Sequence, residues 1–121
     1  MELVTPLQDE VWLVALDPTV GSEIQKIRPC LVVSPDVMNS RLRTVIVAPM
    51  TSTERAYPSR VAVTFQKHRG HVALDQVRSV DRQRLVRRLG IISPQAVRAV
   101  AVVLVEMFQR AEEPAEPVRA L

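Results

Sequence analysis

Two polar groups stand at the ends of apolar runs, and together they suit a phosphate. Arg28-Pro29 opens the run Cys30-Leu31-Val32-Val33, and a second run, Val45-Ile46-Val47-Ala48, leads into the hydroxyl cluster Thr51-Ser52-Thr53. Short β-branched and aliphatic runs bounded by turn residues read as buried strands. Each run therefore delivers its polar group to the end of a rigid element. A guanidinium forks onto phosphate oxygens, and a hydroxyl hydrogen-bonds them. No nucleophilic Cys, Lys or metal cluster accompanies the pair. On local sequence alone, Arg28 also fits a snorkelling side chain beside an acidic partner. Thr51 also fits a turn residue bonding its own backbone.

Glu23, Gln76 and Arg78 complete the set of candidates. In Leu74-Asp75-Gln76-Val77-Arg78-Ser79, a continuous strand would put Gln76 and Arg78 on one face. Other motifs carry less. His68-Arg69-Gly70-His71 resembles a ligand pair but lacks a third ligand, and reads as a solvated turn. Three glycines leave no phosphate-cradling loop. Ser22, Ser34 and Ser52 lack the elbow sequence of a serine hydrolase.

The elements that must hold these residues follow from periodicity and punctuation. Strands are expected at Val11 to Asp17, Pro29 to Ser34, Thr44 to Met50, Arg60 to Phe65 and His71 to Val80, with Gly70 closing a short turn. Pro35 to Arg43 reads as a turn. Asp81 to Arg88 reads as about one helical turn before a short strand at Leu89 to Ile92. Ser93-Pro94 is a helix start, a hydroxyl N-cap followed by Pro. From Gln95 to Arg110, Val97, Val100, Ala101, Leu104, Met107 and Phe108 recur at three- and four-residue spacing, while Val102, Val103 and Val105 make the other faces apolar. A helix apolar nearly all round is buried on more than one side, which predicts a homodimer. Five short strands and one helix describe a mainly β fold: a small SH3-like barrel of curved antiparallel sheet with a C-terminal helix.

The 121 residues suffice for one domain, 1–110, with a core that needs no disulfide or metal. The tail 111–121 has two prolines, three glutamates and no periodicity, and is expected to be disordered. Cys30 is the single cysteine and reads as a small core residue. Aromatics at 3% leave few stacking platforms, against a generic single-strand binder. Fourteen of the sixteen basic residues are Arg, which suits a partner rich in phosphate or carboxylate. No apolar segment reaches the ~20 residues needed to span a bilayer, and no signal peptide is evident. A cytoplasmic protein without membrane attachment is expected.

Taken together, these blocks resemble the MazF/PemK family of toxin endoribonucleases. Asp17-Pro18-Thr19-Val20-Gly21-Ser22-Glu23, then Arg28-Pro29 and a strand ending Ser34-Pro35, is similar to the family's opening signature. Ala48-Pro49-Met50-Thr51-Ser52 is similar to its second motif. Tyr57-Pro58, the Val61–Phe65 strand and Val72-Ala73-Leu74-Asp75-Gln76-Val77-Arg78-Ser79 with Asp81 are similar to its third. The resemblance runs from about residue 9 to 109, in order. Gln8-Asp9-Glu10 replaces the Gly-containing opening common in the family, and Ile24-Gln25-Lys26-Ile27 lacks its loop Gly.

The resemblance implies a toxin of a type II toxin-antitoxin system, a homodimer of MazF/CcdB-type fold. It implies cleavage of single-stranded RNA at specific sequences without metal or other cofactor, and a cognate antitoxin with a disordered inhibitory segment. It maps the family's functional Arg and Thr onto Arg28 and Thr51, its loop Ser and Glu onto Ser22 and Glu23, and its RNA-contacting Gln onto Gln76. Glu23 is a candidate base among the catalytic residues, and Lys26, Ser52 and Arg78 join the expected RNA contacts. The family reaction is attack of the 2′-OH on the adjacent phosphorus, leaving a 2′,3′-cyclic phosphate and a 5′-OH. Two other readings stand beside it: a non-cleaving toxin of the same fold directed at DNA gyrase, and a non-catalytic barrel that binds RNA or acidic peptides.

Overall fold

The computed structural model describes residues 5–110, so the 111–121 tail expectation lies outside the described residues. Seven strands form one curled antiparallel sheet: β1 (Glu10–Ala15), β2 (Ile27–Val32), β3 (Thr44–Thr51), β4 (Arg60–Phe65), β5 (His68–Ala73), β6 (Arg78–Asp81) and β7 (Leu85–Ile91). A short helix α1 (Asp36–Asn39) follows β2, and α2 (Pro94–Phe108) ends the fold. The strand order is β4-β5-β3-β2-β1-β7, with β6 also paired to β3. The curl brings the far ends together: Gln66 Nε2 at the β4–β5 turn donates to the Leu89 carbonyl of β7 at 2.8 Å. This is the expected mainly β fold of curved antiparallel sheet with a C-terminal helix, built from seven strands rather than five and curled into a half-barrel.

Near-continuous apolar strands arise because both sheet faces are buried. Val11, Leu31, Ala48, Val61, Val63, Val72 and Leu74 form one core with Val100 of α2, and Val97, Val103, Leu104 and Met107 pack against it. Trp12, Val14, Leu16, Cys30, Val32, Val45, Val47 and Val80 form the second. Alternate residues of β1, β2 and β3 thus serve opposite cores. Cys30 is fully buried, and burial pushes its thiol up to about 12 despite the opposing charge of Arg78. It is the core residue its setting suggested. The Ser93 hydroxyl caps α2, accepting from Ala96 N–H at 3.2 Å, as the Ser-Pro step predicts.

Three expectations need correction. The strand expected over His71 to Val80 is broken: β5 ends at Ala73, a 3₁₀ turn occupies Leu74–Gln76, and β6 begins at Arg78. Gln76 and Arg78 therefore share no strand face. The break lies where β3 changes partner, pairing with β6 through Val47 and with β5 from Met50. Pro49 falls in that gap, where its missing N–H costs neither ladder a bond. Second, the hairpin turn is Gln66-Lys67 rather than Gly70, with φ of 49° and 67°. Such two-residue turns need positive φ at both positions and usually declare themselves by Asn-Gly. Third, α1 interrupts the segment read as a turn. Asn39 and Ser34 hold it through a buried pair of side-chain bonds.

Candidate functional site

The β2–β3 register sets the centre of the site. Cys30 pairs with Pro49 and Leu31 with Ala48; two residues further in the same register, Arg28 falls opposite Thr51. Pro29 lies just past the last β2–β3 pair, so its lack of an N–H breaks nothing there. The β2–β3 ladder ends at this point, and a cavity of about 260 Å³ opens beside it. Its lining includes Arg28, Thr51, Ser52, His68 and Arg69, with an apolar floor of Met50, Phe65 and Leu89. Arg28 is exposed, and its Nε donates to the Gln25 carbonyl at 3.2 Å. Thr51 Oγ1 accepts from Thr53 N–H at 3.1 Å, so its own proton remains to be donated. The Thr51 turn bond foreseen as an alternative thus coexists with a place in the cavity.

Gly70 makes the close approach of β5 possible. A Cβ there would lie 3.0 Å from the backbone oxygen of Thr51. On either side of Gly70, Arg69 and His71 share one face of β5, opposite Thr64 and Ala62 of β4. They line a neighbouring groove of about 580 Å³ that also includes Glu54 and the start of α2 at Ser93 and Gln95. His71 Nδ1 is buried there without a partner. The groove and the first cavity share Ser52, Arg69 and Gly70.

The remaining predicted residues belong to a second assembly, the 16–26 loop. Ser22, Glu23 and Lys26 are exposed on it, outside the Arg28–Thr51 cavity. The Glu23 carboxylate accepts from Val20 N–H at 2.6 Å. Gln76 and Arg78 line neither cavity. Instead Gln76 Oε1 accepts from Ile24 N–H at 2.7 Å, and Arg78 Nη1 donates to the Leu16 carbonyl at 3.2 Å. Both hold the loop from inside the fold.

Sequence reasoning missed Arg84, His68 and Arg69. Arg84 Nη1 reaches three successive carbonyls at the loop base: Ala15 and Leu16 at 3.2 Å and Asp17 at 2.5 Å. It sits in the charged segment 81–88, whose side chains gave no periodic signal. His68 and Arg69 were read as a solvated turn, yet they open β5 and face the cavity. The signal available was the short spacing from Phe65 to Gly70, which admits a tight hairpin and turns His68 back toward the sheet.

Elsewhere, Glu10 is buried under β1 and paired with Arg88 of β7. Burial is the largest single influence on it and opposes ionisation. Hydrogen bonds from Leu7 N–H, Arg88 and Trp12 Nε1 together outweigh it and hold the carboxyl below its ordinary range. Asp75 is balanced the same way, burial raising it and Arg60 with Ser59 bringing it below.

Comparison with known proteins matches residues 7–108 to the profile of a family described as PemK-like, MazF-like toxins of type II toxin-antitoxin systems. The endoribonuclease toxin MazF of Escherichia coli strain K12 is 32% identical over 98 residues, covering 80% of this chain and 87% of that protein. The crystal structure of MazF from Deinococcus radiodurans superposes with a TM-score of 0.76 at 26% identity, covering 86% of this chain and 96% of that one. A MazE-MazF crystal structure from the same organism matches with a TM-score of 0.71 at 26% identity and the same coverage.

Proposed function

Since the chain belongs to the PemK-like, MazF-like toxins of type II toxin-antitoxin systems, we propose that it is a sequence-specific endoribonuclease acting on single-stranded RNA in the cytoplasm. The observation that carries this reading is the meeting of Arg28 and Thr51, from neighbouring strands, in one cavity. RNA brings its own nucleophile in the 2′-OH, so the protein has charge to stabilise rather than a covalent bond to make. Attack on phosphorus forms the P–O2′ bond and breaks the P–O5′ bond, giving a cyclic phosphate and a 5′-OH. The pentacovalent transition state carries more negative charge than the ground state, so a fixed guanidinium stabilises it preferentially. Arg28 supplies that charge, and the free Thr51 proton bonds a phosphate oxygen.

The RNA strand continues from this cavity into the neighbouring groove, past the Ser52, Arg69 and Gly70 that both share. Ser22, Glu23 and Lys26 contact it from the loop that Gln76, Arg78 and Arg84 secure. Glu23 stands outside the cavity, so its place in this reading is with the RNA contacts rather than the reacting atoms. The working form is a homodimer: α2 leaves Val102, Val105 and Phe108 58%, 67% and 68% exposed while its other face packs on the core. A cognate antitoxin neutralises the protein, in line with the MazE-MazF assembly of its structural relative.

The test is incubation of the purified protein with a long RNA of known sequence in EDTA. Cleavage at recurring sites with cyclic-phosphate ends is expected, and Arg28→Ala should lower the rate roughly a hundred- to thousandfold without unfolding the protein. RNA binding without cleavage, or gyrase inhibition with RNA intact, would overturn the proposal.

A further inference from the structure

From the cavity lining we infer that His68 is a catalytic residue, the general acid that protonates the departing 5′-oxygen; this rests on the endoribonuclease reading above. A 5′-alkoxide is a poor leaving group and departs readily only if protonated as the bond breaks. Arg28 is badly suited to give that proton, because a guanidinium in a protein does not release its proton. Glu23 and the other loop residues lie outside the cavity. Among the described lining residues, the two guanidiniums of Arg28 and Arg69 apart, His68 is the one side chain with an ionisable proton. Imidazole as a class exchanges protons near neutral pH, as general acid catalysis requires.

The position is built rather than incidental. His68 is the first residue of β5, paired with Phe65 across the two-residue turn. Gln66 of that turn is fastened to the Leu89 carbonyl of β7. Arg28 approaches from β2, Arg69 follows His68 on β5, and Lys67 stands in the adjoining turn. The lining residues from β3, β4 and β7 bring no charge. The imidazole thus shares its cavity with the guanidiniums of Arg28 and Arg69, which also attract the scissile phosphate. In the step, the 2′-oxygen bonds to phosphorus and its proton passes to water. The P–O5′ electron pair moves to the 5′-oxygen, and the imidazolium of His68 gives up its proton to that oxygen, to be reprotonated from solvent.

The experiment compares wild type, His68→Gln and His68→Ala on a cleavable oligoribonucleotide and on its analogue with sulfur replacing the bridging 5′-oxygen. A thiolate leaves without protonation. On the oxygen substrate, both variants should lose about 10²–10⁴-fold in kcat with little change in KM. The descending alkaline limb of the wild-type pH–rate profile should also disappear. On the sulfur substrate they should match wild type. A variant that keeps its rate and pH profile, or remains equally impaired on the sulfur substrate, overturns the assignment. A wild-type protein inert toward both substrates and toward long RNA overturns the nuclease reading itself, and this role with it.

Discussion

At the scale of single residues, the site divides into groups that line the Arg28–Thr51 cavity and groups that hold a loop. Arg28 and Thr51 belong to the first and were legible, because a strand end is where an apolar run must release its polar neighbour. Gln76, Arg78 and Arg84 belong to the second. Their spacing carried no such message, since each acts on backbone atoms some fifty to seventy positions away. Arg84→Ala removes three contacts to the carbonyls of residues 15–17. Hydrogen bonds to a charged group are worth about 1.5–3 kcal/mol, so the loop should loosen while the cores hold. Faster amide exchange at residues 16–26 and a raised KM for RNA, with kcat largely kept, are the expected readouts. Equal losses in kcat would place Arg84 at the reacting atoms instead.

At the scale of elements, β3 is the spine of the site. It pairs with β2, β6 and β5 in turn, and the handover at Pro49 leaves its last residues free to face the cavity. The runs that became β1 to β3 were readable because two-sided burial demands near-continuous apolar sequence, and β4 because Val61 and Val63 alternate with exposed Ala62 and Thr64. The broken strand was not, since Leu74-Asp75-Gln76 holds no Gly or Pro to announce its 3₁₀ turn. Gly70→Ala tests the close approach of β5. Its methyl would press on a backbone carbonyl that cannot rotate away, so a stability loss of about 1–3 kcal/mol is expected. RNA cleavage should fall as well, because the contact is with Thr51 itself. Thermal melting and single-turnover rates measure the two effects separately.

At the scale of the whole molecule, the edge strand β7 is held to β1 by charge as well as by its ladder. Glu10 joins β1 to Arg88 of β7, and its folded carboxyl lies below the ordinary value of 4.5. A depressed carboxyl stabilises the fold above its unfolded pKa, and that contribution fades as pH falls through the folded one. The wild type should therefore lose stability on acidification below about pH 4.5, and Glu10→Gln should flatten that slope in denaturant titrations. The exposed apolar residues of α2 make a separate prediction. Val105→Asp, on the exposed face, should yield a folded monomer by sedimentation. Leu104→Arg should unfold the chain, because Leu104 packs on the core.

The loop clamp has a consequence for diversification. The Arg28–Thr51 pair is positioned by strand register, whereas residues 19–23 hang from Gln76 and the arginines beneath them. Substitutions at the tip leave that register untouched. A library randomised at Thr19, Val20 and Ser22 should therefore yield members that cut RNA at altered motifs while retaining the parental turnover.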